Sequence, residues 1–290
     1  MKDQATRLRE LTGFLQRENK QAPPVNLRVI AVTSGKGGVG KTNVVVNLAI
    51  ALAQMGKRVI ILDADLGMAN VDVLMGLIPR YNLMDVIEGQ RTIKDIILRG
   101  PANVGLIPGG SGMQELANLE YYQRERLLQG LQGFEDEADF LLIDTGAGIS
   151  KNVIGFVSAA HEVIVVVTPE PTSITDAYGV IKVLSRIKVH DWVNLVVNRA
   201  ANLTEACQTA EKVVTAASRF LKFKVVHLGS IADDRTVGRA IMSQEPLITA
   251  FPNSAAAKNL REIAGAIITG EQAANRGMGG FINRLTRLFS

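Results

Sequence analysis

From about residue 28 onward, short apolar runs alternate with amphipathic stretches. The runs at 29–33, 59–63, 104–107, 140–144, 163–168, 195–198 and 225–228 are dominated by Val, Ile and Leu. Such runs suit strands buried on both faces of a parallel sheet, because a strand with one wet face alternates apolar and polar residues. Helical patterns lie between them, near 42–55, 114–132, 151–160, 174–188, 204–221 and 254–269. This alternation predicts a doubly wound α/β domain: a mostly parallel sheet of about seven or eight strands with helices on both faces. No internal repeat or second core interrupts it, so a single domain is expected over 28–270.

The flanks differ. Residues 1–20 have the pattern of a short basic amphipathic helix, and 21–27 reads as a linker because Pro23 and Pro24 remove donors and fix φ. Near the other end, Gly277, Gly279 and Gly280 precede a last amphipathic segment. There Phe281, Ile282, Leu285, Leu288 and Phe289 fall at i, i+1, i+4, i+7 and i+8, on one helical face, with Arg284 and Arg287 off it. Segment 277–290 is therefore expected to be an amphipathic helix.

Composition narrows the class. Of 290 residues, 47% are hydrophobic and 21% charged, the balance of a folded domain and not of a disordered chain. A net charge of +4 permits anionic partners without demanding them. The single cysteine, Cys207, can neither form an internal disulfide nor alone hold an iron–sulfur cluster. No N-terminal apolar core of a secretory signal and no run of about 18 apolar residues is present, so a cytoplasmic protein with peripheral membrane contact is expected. His161, His190 and His227 lack metal spacing and read as structural or surface residues. Trp192 reads as a packing residue ahead of a strand.

The chemistry concentrates in residues 34–43, SGKGGVGKTN. Gly35, Gly40, Lys41 and Thr42 satisfy the P-loop pattern, between a strand-like run and a helix-like run. Gly35, Gly37, Gly38 and Gly40, with Val39, let backbone amides surround phosphate oxygens, and the following helix adds partial positive charge. Lys41 is placed to reach the β- and γ-phosphates, and the Thr42 hydroxyl to ligate Mg²⁺. Lys36 either has no required role or reaches across a dimer to a partner's nucleotide. Asp63 and Asp65 follow the second strand run and Asp144 ends the apolar FLLID run, the Walker-B form. Strand ends at this edge of a doubly wound sheet lie beside the phosphate loop. Asp144 is suited to holding Mg²⁺ through water, and Gly146 and Gly148 allow a switch loop.

GKGGVGKT, with its extra lysine, resembles the deviant Walker A motif of the MinD/ParA family of ATPases. The resemblance extends over about 28–270 and includes DADLGMANVDVLMG, LLIDTGAGIS, VTPEPTSITDAY and VVNRA. The DAD and VTPEPTSITDAY segments look closest to the flagellar number regulators of that family, FlhG, FleN or YlxH. At the N-terminus, Asp3, Gln4, Ala5, Leu8 and Arg9 match the DQAxxLR element that FlhG proteins use on their GTPase partner FlhF. The C-terminal segment is similar to the family's membrane-targeting helix.

The resemblance implies ATP/ADP and Mg²⁺ as ligands and a face-to-face ATP-dependent homodimer. Lys36 contacts the opposing nucleotide, Asp65 orients the attacking water, and Asp63 and Asp144 hold Mg²⁺ through water. Asn198 reads the adenine edge with Arg199 stacking nearby. It also implies an FlhF-like GTPase, a flagellar assembly factor or transcription regulator, and an anionic membrane surface as partners, with the protein on the inner face of the cell membrane and no direct nucleic acid. Asn43 follows Thr42 where many relatives carry Thr or Ser, and Ala232 stands where relatives usually carry proline. Competing readings are a division-site or DNA-partitioning ATPase, a metabolic ligase or metallocluster carrier on the same phosphate site, and a noncatalytic ATP-binding adaptor.

Overall fold

The computed structural model describes residues 27–65, 70–110, 122–123, 130, 137–270 and 281. The expected N-terminal helix, most of the 21–27 linker, most of the 114–132 helix, the loop after Asp65 at 66–69, and Ile282, Leu285, Leu288 and Phe289 lie outside these residues. So do Asp3, Gln4, Ala5, Leu8 and Arg9.

Eight strands form one sheet: β1 (Arg28–Ser34), β2 (Val59–Ala64), β3 (Leu98–Arg99), β4 (Gly105–Ile107), β5 (Phe140–Ala147), β6 (Glu162–Val167), β7 (Trp192–Ala200) and β8 (Lys224–Ala232). Their order is β3-β4-β2-β5-β1-β6-β7-β8, parallel throughout except for the β3–β4 edge pair. The central strands are buried on both faces, as their continuous apolar sequences require. Side chains alternate between two cores: Val29 and Ala31 of β1 join one, Ile30 and Val32 the other.

The helices are α1 (Lys41–Gln54), α2 (Val71–Met75), α3 (Leu83–Ile87), α4 (Ile93–Ile96), α5 (Lys151–Ala159), α6 (Pro171–Ile187), α7 (Leu203–Ala216), α8 (Arg235–Met242), α9 (Leu247–Ala250) and α10 (Ala255–Thr269). A π-helical turn, Ala217–Leu221, continues α7. α1 and α10 cover one face of the sheet; α5, α6 and α7 cover the other. α1 is almost wholly buried, so it lacks the polar stripe of a surface helix.

Six of the seven strand positions agree with the sequence reading to within about four residues at each end, and the seventh gains a β-bulge and runs on to Ala232. The strand β3 and the helices α2, α3, α4, α8 and α9 were not foreseen. They are two to eight residues long, too short to establish a period. α3 and α4 are instead set by capping boxes, Asn82 with Asp85 and Thr92 with Asp95. Leu27, assigned to the linker, is fully buried and belongs to the core. Phe281 is also fully buried, in the same core cluster as α5 and α6. His161 is buried and accepts the Val29 amide proton at Nδ1, 3.1 Å, a structural bond linking β1 to the start of β6.

Candidate functional site

Sheet order places the site. β1 sits between β5 and β6, and the connections leave it on opposite sides, so a crevice opens beyond its C-terminal end. Residues 35–40 turn there before α1 begins at Lys41. Gly38 and Gly40 have φ of 81° and 86°, the left-handed region that a side chain disfavours. A Cβ on Gly40 would also come within 2.5 Å of Asn198 Nδ2, and one on Gly35 would overlap the backbone of Asp176. The glycines are therefore demanded by backbone conformation and by close approach of β7 and α6.

Lys41 is buried and donates to Asp144 Oδ1 at 2.5 Å. Burial pushes the Asp144 carboxyl up; Lys41, and behind it the Thr42 hydroxyl, pull it down. Its Oδ2 is buried without a hydrogen-bond partner. Asp63 stands beside it on β2, at the position paired with Asp144 in the ladder. Burial first, then repulsion from Asp144, push Asp63 up to about 7. Its Oδ1 accepts the Asp65 amide at 3.2 Å. Asp65 in turn lies against Gly146, where an added Cβ would sit 3.7 Å from its Oδ1. Three carboxylates and one ammonium thus converge at the ends of β2, β5 and α1. An orphaned buried oxygen, a carboxyl whose ionised form is disfavoured by burial and by its neighbour, and a nearby hydroxyl fit a hydrated divalent cation, with Thr42 as direct ligand and Asp63 and Asp144 behind water.

Lys36 points elsewhere. Its Nζ donates to Glu170 Oε2 at 2.7 Å and to Thr172 Oγ1 at 3.1 Å, at the start of α6. The ammonium beside Glu170 holds that carboxyl below its usual range. Glu170 and Thr172 were not singled out from sequence as partners of this lysine. The PEPT turn gave a signal only in hindsight, since Pro171 opens the helix and fixes Glu170 at its cap.

Asn198 is expected to read adenine. Its Nδ2 is committed to the Val39 carbonyl at 2.8 Å, which ties β7 to the phosphate loop and leaves Oδ1 for a base. Asn198, Arg199, Asn43 and Gly40 line a cavity of about 380 Å³, closed by residues 231–235. Arg199 has φ 59°, an uncommon conformation for a long side chain and one that clusters at ligand sites. Opposite, the Ala232 amide donates to Asn259 Oδ1 at 3.2 Å, so the position that lacks proline gains a backbone bond to α10. Among the described residues, Asn43 is bonded by no side chain outside its own helix: its carbonyl and Oδ1 accept from Asn47 Nδ2 at 2.8 and 3.2 Å. Asn47, fully buried and missed as a single polar residue in an apolar helix, also accepts the Ile248 amide and so anchors α9. Gly148, φ 87°, donates to the Ser34 carbonyl at 2.8 Å and holds the loop after β5 against the phosphate loop.

A family model described as an AAA domain matches residues 27–197, and one described as the NUBPL iron-transfer P-loop NTPase matches 127–268. The antiactivator FleN of Pseudomonas aeruginosa is 45% identical over 238 residues, 82% of this chain and 85% of FleN. The chain belongs to the MinD/ParA family of P-loop ATPases. Within that family it falls among the flagellar number regulators. The flagellum site-determining protein YlxH of Helicobacter pylori is 33% identical over 270 residues, covering 93% of this chain and 91% of YlxH. Among solved structures, septum site-determining MinD of Pyrococcus horikoshii, complexed with Mg-ADP, superposes with a TM-score of 0.67 at 26% identity, over 84% of this chain and 96% of that one. Family and fold together make the chain a P-loop ATPase. No helix among the described residues is long and apolar enough to cross a membrane.

Proposed function

We propose that this MinD-like flagellar regulator is an ATP-dependent dimer, cycling between a cytosolic monomer, ADP-bound or empty, and a membrane-associated ATP dimer. The observation that carries the reading is the contrast between the two loop lysines. Lys41 is buried against the carboxylates of its own site, whereas Lys36 lies 35% exposed at the rim, held by a still more exposed Glu170. A cation so placed is free to be handed to a second copy. The chain's own site otherwise offers little positive charge to an equatorial γ-phosphate oxygen, and charge neutralisation with positioning is what phosphoryl transfer needs.

In this reading the glycine-loop amides and Lys41 bind the β- and γ-phosphates, and Asp65 orients the attacking water. Lys36 from the opposing copy stabilises the charge that builds on the transferred group. Thr42, Asp63 and Asp144 hold Mg²⁺, which when bound supplies charge neutralisation at the phosphates. Asn198 Oδ1 and Arg199 take the adenine. After hydrolysis the copies separate.

Phe281 is buried in the same core cluster as α5 and α6, and in this reading the apolar face of 281–289 must reach lipid in the ATP-bound form. One such helix binds a membrane marginally, and two on a dimer raise avidity without new contacts. Asp3, Gln4, Ala5, Leu8 and Arg9 are the surface offered to an FlhF-like GTPase. The antiactivator name of the FleN relative favours a transcription regulator as a further partner. A DNA-partitioning role is the second reading; the tail and the DQAxxLR element speak against it. An iron carrier is disfavoured by the lone cysteine.

Size measurement with ADP and ATP tests the core of this reading. Asp65→Ala should dimerise with ATP and stay dimeric, and Lys36→Ala should stay monomeric. Asp65→Ala remaining monomeric at saturating ATP would sink the dimer cycle. Sedimentation with anionic vesicles should lose a chain ending at Arg276; undiminished binding would remove the tail from the account.

A further inference from the structure

A cavity of about 320 Å³ opens at the pole of the sheet opposite the phosphate loop. Arg28, Glu162, Trp192 and Lys224, each the first residue of its strand, line it. The phosphate loop begins after the seventh residue of β1, about 20 Å away. The two cavities share no lining residue.

Asn194 is the unexplained group. It pairs with Ile164 of β6 and Val226 of β8, which puts it on the sheet face covered by α10. An asparagine suits a central strand poorly, and its amide calls for a polar partner or water. Asn194 is only 5% exposed, and its amide opens on the cavity: it makes no side-chain hydrogen bond to the described residues and keeps contact with solvent there.

The charges beside it are already engaged. Arg28 donates from Nε and Nη2 to both Glu162 oxygens at 2.8 Å, and from Nη1 to the Ile267 carbonyl at 2.6 Å. Lys224 stays exposed at the mouth. What remains is an apolar wall of Val226, Leu228 and Ile267, an indole, and one carboxamide offering a donor beside an acceptor. No unpaired charge lies at the floor to receive an ionised ligand.

We propose that this cavity binds a small neutral molecule joining an apolar ring to an amide-type edge, as aromatic carboxamides and nucleobases do. The volume falls at the lower end for ligand sites, enough for one or two rings. The ring lies between Trp192 and the aliphatic wall, and the donor–acceptor edge pairs with Asn194.

Trp192 is the single tryptophan of the chain, so intrinsic fluorescence reports this cavity. The full chain is titrated with benzamide, and with ethylbenzene and benzoate as apolar and charged probes of the same shape. Benzamide should give a saturable change in emission, with the other two at least about tenfold weaker, the factor expected for one hydrogen-bonded pair. Asn194→Leu should erase the preference for benzamide while leaving ATP hydrolysis intact, which shows that the chain is folded. Ala266→Phe, which fills the cavity from α10, should abolish all saturable response and carries the test if Asn194→Leu does not fold. The proposal is overturned if benzamide gives no saturable change, if ethylbenzene matches it, or if the response survives Ala266→Phe. An amide satisfied by water alone gives the first or second of these results.

Discussion

The Lys41–Asp144 pair can be tested by Asp144→Asn, which keeps shape and removes charge. Breaking one partner of a buried pair costs about 3–5 kcal/mol, because the other charge is left without compensation. Here part of that cost returns. Asp63, pushed up to about 7, is destabilised by roughly 4 kcal/mol when ionised, and repulsion from Asp144 is its second cause after burial. Removing that repulsion restores about 1–2 kcal/mol above neutral pH. The net loss without nucleotide is about 1–4 kcal/mol, a fall in Tm of roughly 2–8 °C. ATP then behaves differently in the two proteins. In the native chain phosphate must displace Asp144 from Lys41; in the variant it meets an ammonium with no anionic partner. Thermal melts with ATP and EDTA should therefore show a larger nucleotide-induced rise in Tm for Asp144→Asn than for the native chain. With Mg²⁺ the advantage should shrink, since the carboxylate proposed to hold the hydrated ion is missing. An unchanged Tm without nucleotide, or a smaller ATP response than the native chain's, would refute the pairing as drawn.

Asp63 also sets a pH dependence. Because its folded value is raised, its proton favours the folded state: its contribution to stability is fully present below about 3.8 and is lost as pH rises through about 7. Mg²⁺-nucleotide should reverse this by favouring the ionised form, so binding at pH 6 should release close to one proton per site and almost none at pH 8.5; calorimetry in buffers of different ionisation enthalpy measures it. Glu170→Gln should free Lys36 and move ATP-dependent dimerisation to lower protein concentration, read by light scattering; no change would mean that Glu170 does not restrain the lysine. Asn198→Ala should weaken ATP binding about tenfold or more, since it strands the Val39 carbonyl as well as removing the proposed base contact; equal losses for ATP and inorganic triphosphate would assign the whole effect to the loop.

The phosphate loop and its three aspartates were legible because their chemistry is local. A glycine pattern, a lysine and strand-end carboxylates depend on neighbours in sequence and on buried strands, whose apolar runs are equally visible. Short-range signals also placed α5, α6, α7 and α10, each long enough to show a period, and α1, an apolar run opened by the phosphate loop and closed at Gly56. What sequence alone left open depends on contacts between distant segments: Lys36 with Glu170, 134 residues on, Asn198 with Val39, 159 residues back, and the burial of Phe281 in the core. The proton affinity of Asp63 belongs to the same class. It is set by desolvation and by a neighbour on another strand, and neither exists until the sheet has assembled. The opening of the Asn194 amide on a cavity is likewise invisible in a run of strand residues, because which polar groups keep contact with solvent is decided only when α10 closes over one part of the sheet and stops short of the next.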